Sequence, residues 1–315
     1  MWTIKQPPKI IFGKNSVKEF SFPDKCLVIT SRGSKSRGWL DYTQLQNHLI
    51  FENVESNPSI ETTKKIISTF ENSDFTHIIG IGGGSSMDVA KYCAFKMNKS
   101  KIMIPTTFGS GSEVTRISVL KVNGKKKSFH DDGLISDIAL VDPYFIQNTN
   151  PIIFKNSVID ACAQCTEGYD SKIGNTYTKF LCMKAFELLE EGILKGNSEK
   201  IVLGSLISGL GFGNCSTTLG HALSYVYSNE GISHGHALAY TTTVAHKFND
   251  SIFYKRFKKL VQKLNFDEIN LQQSFDDASE LILTDRKHLD NNPKLINKQT
   301  IIELLKLIET GKSIF

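Results

Sequence analysis

The stretch THIIGIGGGSSMDVAK at residues 76–91 restricts the possible fold more than any other part of the chain. An apolar, β-branched run ends there in three glycines and two serines and passes at once into helical apolar spacing. A buried strand that feeds a helix through a glycine turn is the first half of a β-α-β unit. Two more runs of the same kind occur in this half of the chain: KCLVIT at 25–30, closed by Ser31-Arg32-Gly33, and KIMI at 101–104, stopped by Pro105. Residues 60–70 and 87–96 carry helical spacing between them. Continuous apolar strands alternating with helices predict a parallel sheet with helices on both faces.

The second half changes character. Helical periodicity runs almost unbroken over 157–169, 176–194, 201–212, 219–227, 234–246, 254–264 and 300–308. The change falls around Asp142-Pro143 and Asn150-Pro151, which predicts an α/β domain over 1–150 and an all-α domain over 151–315. A length of 315 residues accommodates both, and 40% hydrophobic with 22% charged side chains is globular composition. No apolar run approaches the roughly 18 residues of a membrane span, the nearest being 201–213. The N-terminus shows no apolar signal region. Six scattered cysteines read as reduced thiols of a cytoplasmic protein, Cys162 and Cys165 included. The 37 basic side chains less the 32 acidic ones leave a net charge of +5. That excess argues for neither nucleic acid nor a membrane surface and suits a small anionic substrate. The run Lys125-Lys126-Lys127 reads as a solvated turn.

Gly82-Gly83-Gly84-Ser85-Ser86 stands where a loop can cradle a phosphate. Glycines let backbone N–H groups approach an anion, and the following helix presents its positive end. It is neither G-x-G-x-x-G nor a Walker loop, and a plain tight turn is the competing reading. The loop at 105–113, PTTFGSGSE, follows the next strand and is equally small and hydroxyl-rich. Two such loops at neighbouring strand ends outline a nucleotide crevice.

Asp160 and Gln164 are four residues apart on a predicted helix and so share a face. His221 and His234 flank a helix break at Asn229-Glu230-Gly231, which puts them on successive elements that fold back on each other. An oxygen ligand with two imidazoles suits Fe2+ or Zn2+. Two ordinary core or surface histidines are the alternative.

Taken in order, these motifs resemble the iron-containing (group III) alcohol dehydrogenase family, which includes glycerol dehydrogenases and, more distantly, dehydroquinate synthase. The resemblance runs from PKIIFGKNSV at 8–17 through GGGSSMDVAK at 82–91, PTTFGSGSEVT at 105–115, ALVDP at 139–143 and Asp160-Ala161 with Glu167 to the stretch from HALSY to HGHA at 221–237. It implies a Rossmann-like domain followed by a helical domain that binds metal and substrate. It also implies NAD(P)-dependent interconversion of a small aldehyde and its primary alcohol, and a homo-oligomer. By the same resemblance Gly82, Gly83, Gly84 and Ser85 hold the pyrophosphate, with Asp88 near the cofactor ribose. Thr106, Thr107 and Ser110 form the second cofactor loop. Asp160, His221 and His234 match three of the family's four metal ligands, while the fourth position holds Gln164 instead of His. Tyr225 stands where a further His is common near the substrate. The run HALSY followed by GISHGHA, with Gln in the ligand helix, is similar to the subgroup that reduces phosphonoacetaldehyde to 2-hydroxyethylphosphonate, for which Arg116, Lys155 and Lys247 are candidate phosphonate partners. In the implied mechanism the metal polarises the aldehyde oxygen as hydride arrives, and Tyr225 or His236 relays the proton. The turn Ser31-Arg32-Gly33-Ser34-Lys35 has hydroxyls and cations and no carboxylate, which leans the cofactor toward NADPH. A polyol dehydrogenase, a lyase of the dehydroquinate synthase type and a descendant with a decayed metal site are the other readings.

Overall fold

The computed structural model describes residues 1–310, and residues 311–315 of the predicted helical domain lie outside that range. The chain divides into two compact units that meet between Thr149 and Asn150.

In the first unit the strands are β1 (Lys9–Phe12), β2 (Cys26–Ile29), β3 (Leu49–Phe51), β4 (His77–Gly82), β5 (Ser100–Pro105), the paired β6 (Ile117–Val122) and β7 (Lys125–His130), and β8 (Ile138–Val141). Helices α1 (Ser16–Glu19), α2 (Arg32–Ser36), α3 (Trp39–Tyr42), α4 (Ile60–Phe70) and α5 (Gly84–Met97) connect them. Among the described residues six strands form one parallel sheet in the order β1-β8-β5-β4-β2-β3. The central strands are apolar because both faces are covered: Leu27 to Ile29, Ile78, Ile79, Ile81 and Ile102 to Ile104 are all buried. Ile66 of α4 and Met87, Val89 and Ala90 of α5 pack into the same core. Chain direction across the sheet reverses between β2 and β4, so the carboxyl ends of those strands flank the crevice such sheets offer to ligands.

Two features depart from the expectations. Lys125-Lys126-Lys127 is not a turn; it opens β7, whose side chains are almost all exposed. The turn is Asn123-Gly124, with φ of 51° and 77°, the pair that a two-residue hairpin requires. The four-residue β1 and β8 are strands that the apolar pattern alone did not mark, and they pair in parallel at one side of the sheet.

The second unit consists of α6 (Pro151–Asp170), α7 (Thr176–Lys195), α8 (Ser198–Phe212), α9 (Leu219–Asn229), α10 (His234–Phe248), α11 (Tyr254–Leu264), α12 (Phe275–Leu283), α13 (Arg286–Asn291) and α14 (Lys298–Glu309). Helix α6 packs against α7, α8 and α10, and its residues 161–168 are fully covered. Such all-round burial explains why the segment reads as apolar without a clear polar stripe. The chain after residue 250 returns over the unit, with α12 and α13 on α9 and α14 on α10. All six cysteines are free and buried. Burial pushes Cys93 and Cys165 up to about 12, as expected of inert thiols.

Candidate active site

In the first unit the strand register brings the sequence-predicted loop residues together. Gly82 pairs with Pro105, and Thr106 N–H donates to the Gly82 carbonyl at 2.9 Å. Gly82 has a φ of 148°, and a Cβ there would lie 2.7 Å from Ser86 Oγ. A Cβ on Gly83 would lie 3.0 Å from Thr107 Oγ1. The loop is therefore closed to side chains at the positions where an anion would meet backbone N–H groups. Helix α5 begins at this loop without a side-chain cap, which leaves its first donors to a ligand or water. Thr106 Oγ1 is buried and has no hydrogen-bond partner among the described residues.

Ser31 follows β2 and caps α2, accepting from Ser34 N–H at 3.3 Å. Its turn is less cationic than its five residues imply. Lys35 Nζ lies 2.6 Å from Glu52, just past β3, and Arg32 Nε donates to Asn53 Oδ1 at 2.7 Å. Asp88 is engaged inside the unit. Its carboxylate accepts from Ser112 Oγ at 2.6 Å and Val119 N–H at 3.1 Å, and the buried Lys91 ammonium is 3.6 Å away. It braces α5 against the second loop and β6.

In the second unit, one atom each of Asp160, His221 and His234 lie within 4.8 Å of one another, although the residues come from α6, α9 and α10. Both imidazoles face Asp160 Oδ1 through Nε2, His221 at 3.8 Å and His234 at 4.0 Å. His221 Nδ1 donates to Glu167 Oε2, which fixes the tautomer with a lone pair on Nε2. Glu167 also accepts from Gly220 N–H at 2.5 Å and Thr218 Oγ1 at 3.0 Å. Burial alone raises the Glu167 carboxyl, but the His221 ring and these donors outweigh it and hold it below the usual range. The same pairing raises His221 against the downward pull of its burial.

Gln164 Nε2 donates to Asp160 Oδ1 at 2.9 Å, while Gln164 Oε1 is buried without a partner among the described residues. Two imidazole Nε2 atoms, a carboxylate and an unsatisfied amide oxygen form a donor set that fits a divalent transition ion. Helix α10 sits so close to α6 that a Cβ on Gly235 would overlap the Asn156 carbonyl.

The two proposed proton relays differ. The Tyr225 ring stacks at 6.2 Å from His234, and burial, followed by Asp285 and Asp160, pushes its phenol up, keeping it a hydrogen-bond donor. His236 turns elsewhere: its Nε2 meets the Asp267 carbonyl at 2.5 Å and its ring leans on Phe266. Besides a ring contact with Tyr240 on its own helix, these contacts tie α10 to the chain after α11. Of the suggested phosphonate partners, Arg116 pairs with Asp132 at 2.9 Å, and Lys155 donates to the Asn265 carbonyl at 3.0 Å. Lys247 lies exposed in the last turn of α10.

Sequence reasoning named Glu167 within a motif without giving it a role, and missed His288 altogether. Glu167 stands seven residues after Asp160, two turns along the same helical face, a spacing that was available to read. His288 of α13 lies 6.2 Å from the His221 ring and 5.8 Å from Tyr225. No motif marked it, because only tertiary packing brings it there.

A parallel sheet with a glycine loop at its switch point, followed by a helical unit with a carboxylate–imidazole cluster, defines a two-domain protein built for a nucleotide and a metal. Two family profiles match the chain in order: "iron-containing alcohol dehydrogenase" over residues 7–143 and "Fe-containing alcohol dehydrogenase family, C-terminal" over residues 155–284. The chain belongs to the iron-containing alcohol dehydrogenase family. A 4-hydroxybutyrate dehydrogenase of Clostridium kluyveri is 36% identical over 209 residues, covering 57% of this chain and 56% of the relative. The chain thus spans little more than half the length of two of the curated relatives it matches. A crystal structure of 1,3-propanediol oxidoreductase superposes with a TM-score of 0.89 at 20% identity, over 98% of this chain and 100% of that one. A sulfoacetaldehyde reductase from Bifidobacterium kashiwanohense, solved with NAD+, gives 0.87 at 22% identity, over 98% and 99%. At such identities these two likenesses show the fold.

Proposed function

We infer that the protein is an NAD(P)-dependent oxidoreductase that interconverts a short primary alcohol and its aldehyde. The observation that carries this reading is the convergence of Asp160, His221 and His234 through Asp160 Oδ1 and the two Nε2 atoms. These residues, with the Gln164 amide oxygen, would hold Fe2+ or Zn2+, and the ion would supply Lewis-acid polarisation of a carbonyl oxygen.

The chain's own groups do the rest. The Gly82–Gly84 loop and the first N–H groups of α5 bind the dinucleotide's pyrophosphate. Glu167 keeps the His221 lone pair on Nε2, and the Gln164 amide steadies Asp160. Tyr225 offers a hydroxyl beside His234. On this reading the first unit is the cofactor domain and the second the metal and substrate domain.

The cofactor reading shifts with Glu52: a turn whose lysine is paired with a carboxylate repels a 2′-phosphate in part, and both NADH and NADPH are expected to serve. An anionic aldehyde is favoured by the likeness to a 4-hydroxybutyrate dehydrogenase. Phosphonoacetaldehyde is a narrower case, and the partners found for Arg116 and Lys155 do not favour it. The test is anaerobic loading with Fe2+ or Zn2+, then oxidation of NADH and of NADPH with propanal, 4-oxobutanoate, sulfoacetaldehyde and phosphonoacetaldehyde. Metal-dependent turnover of at least one aldehyde is expected. A fully metal-loaded protein that binds dinucleotide yet reduces none of them would refute the reading.

A further inference from the structure

Four rings form a closed circuit in the second unit. His221 to His234 is 5.4 Å, His234 to Tyr225 is 6.2 Å, Tyr225 to His288 is 5.8 Å, and His288 back to His221 is 6.2 Å. Three of the four come from α9 and α10, within the part of the chain that the family profile matches. The fourth, His288, lies beyond that match, which ends at residue 284.

His288 is held deliberately. Its Nδ1 is 2.6 Å from Asp285 Oδ2, and its backbone N–H donates to Asp285 Oδ1 at 3.4 Å as part of the α13 cap. A carboxylate accepts, so Nδ1 carries the hydrogen and the Nε2 lone pair is left bare. No other hydrogen bond to this ring occurs among the described residues. The arrangement repeats that of His221 on Glu167, yet its use must differ. The His221 and His234 rings cross at 67°, and one donor atom of each converges with Asp160. The His288 ring lies within 18° of parallel to that of His221, and His288 is not among the three residues whose donor atoms converge. His288 therefore stands beside the metal cluster and outside it, next to the ring of Tyr225.

We propose that His288 is a further substrate-binding residue, oriented by Asp285, whose Nε2 accepts a hydrogen bond from a hydroxyl of the alcohol substrate. The proposal rests on the alcohol–aldehyde reading above and adds to it the group that selects for hydroxyl-bearing ligands. Asp285 acts through His288 and is a positioning residue.

The test uses full-length protein loaded with Zn2+ and NAD+, titrated calorimetrically with propane-1,3-diol and with 4-hydroxybutyrate. His288→Phe keeps a ring in the circuit and removes the acceptor. It is expected to weaken binding of both alcohols about tenfold, the worth of one buried hydrogen bond, with zinc content and NAD+ affinity unchanged. His288→Gln, whose amide oxygen can reach the Nε2 position, should restore most of the affinity. Asp285→Asn should weaken it by a few-fold while leaving zinc in place. Equal affinity in wild type and His288→Phe, or loss of zinc in step with loss of alcohol binding, would overturn the proposal. So would an absence of saturable binding to the wild type. Turnover is scored separately: a wild type that binds alcohols in the expected pattern but reduces no aldehyde sinks the reaction and leaves His288 in place.

Discussion

The glycine loop of the first unit and the histidine cluster of the second are constructed in opposite ways. The loop is a place from which side chains are excluded: a Cβ at Gly82 or Gly83 would crowd Ser86 or Thr107, and what remains for a ligand is backbone. The cluster consists of side chains, each held by another, as Glu167 holds His221 and Gln164 holds Asp160. A site made of backbone is broken by adding atoms. A site made of side chains is broken by removing them, and its supports matter nearly as much as its ligands.

That contrast can be broken from either side. The largest effect is expected from deletion in the cluster: His234→Ala should abolish metal retention and lower kcat/KM by on the order of a thousandfold or more, read by metal analysis and initial rates, and unchanged metal content would remove His234 from the donor set. The corresponding addition in the loop, Gly83→Asp, places a carboxylate where the pyrophosphate is expected. It should weaken dinucleotide binding by roughly a hundredfold in a fluorescence titration while zinc content stays normal.

Glu167→Gln tests the support. Metal affinity should fall about 10- to 100-fold, by competition with a chelator, and an effect as large as that of His234→Ala would place Glu167 among the ligands themselves.

The smallest effect sharpens the comparison in the first unit, where Glu113 is buried behind the second loop. Burial pushes its carboxyl up to about 7, from an ordinary 4.5. The folded chain thus holds a proton that the unfolded chain releases. This stability is complete below about pH 4.5 and is lost as pH rises through 7, up to about 3 kcal/mol. The Tm should fall by several degrees between pH 5 and 8, and Glu113→Gln should flatten that slope. A slope identical in the variant would assign it to another group.

What could be read in the chain beforehand follows the same physics. β2, β4 and β5 were visible because both of their faces are buried, and α4 and α11 coincide with their predicted spans because each has one apolar face. β7 was hidden because its side chains are exposed lysines and polar groups, although Asn123-Gly124 announced its turn. Asp88 was legible as part of a motif, but its partners Ser112 and Val119 were not, since they lie far along the chain. Asp160, His221 and His234 could be singled out by residue type and order. Asp285 and His288 could not, because nothing short of the folded helical unit brings α13 against α9. Glu52 was overlooked for a related reason, being supplied to the β2 turn by the neighbouring strand.

Gly235 gives the cluster a property of its own. Because α10 approaches α6 to the point where even a methyl group would strike the Asn156 carbonyl, main chain on main chain determines the distance between the helices that carry His234 and Asp160. The donor atoms ride on that frame without maintaining it. A side chain on that frame, such as Gln164, can then be exchanged with no shift of the scaffold, so the donors around Asp160 are adjustable one side chain at a time.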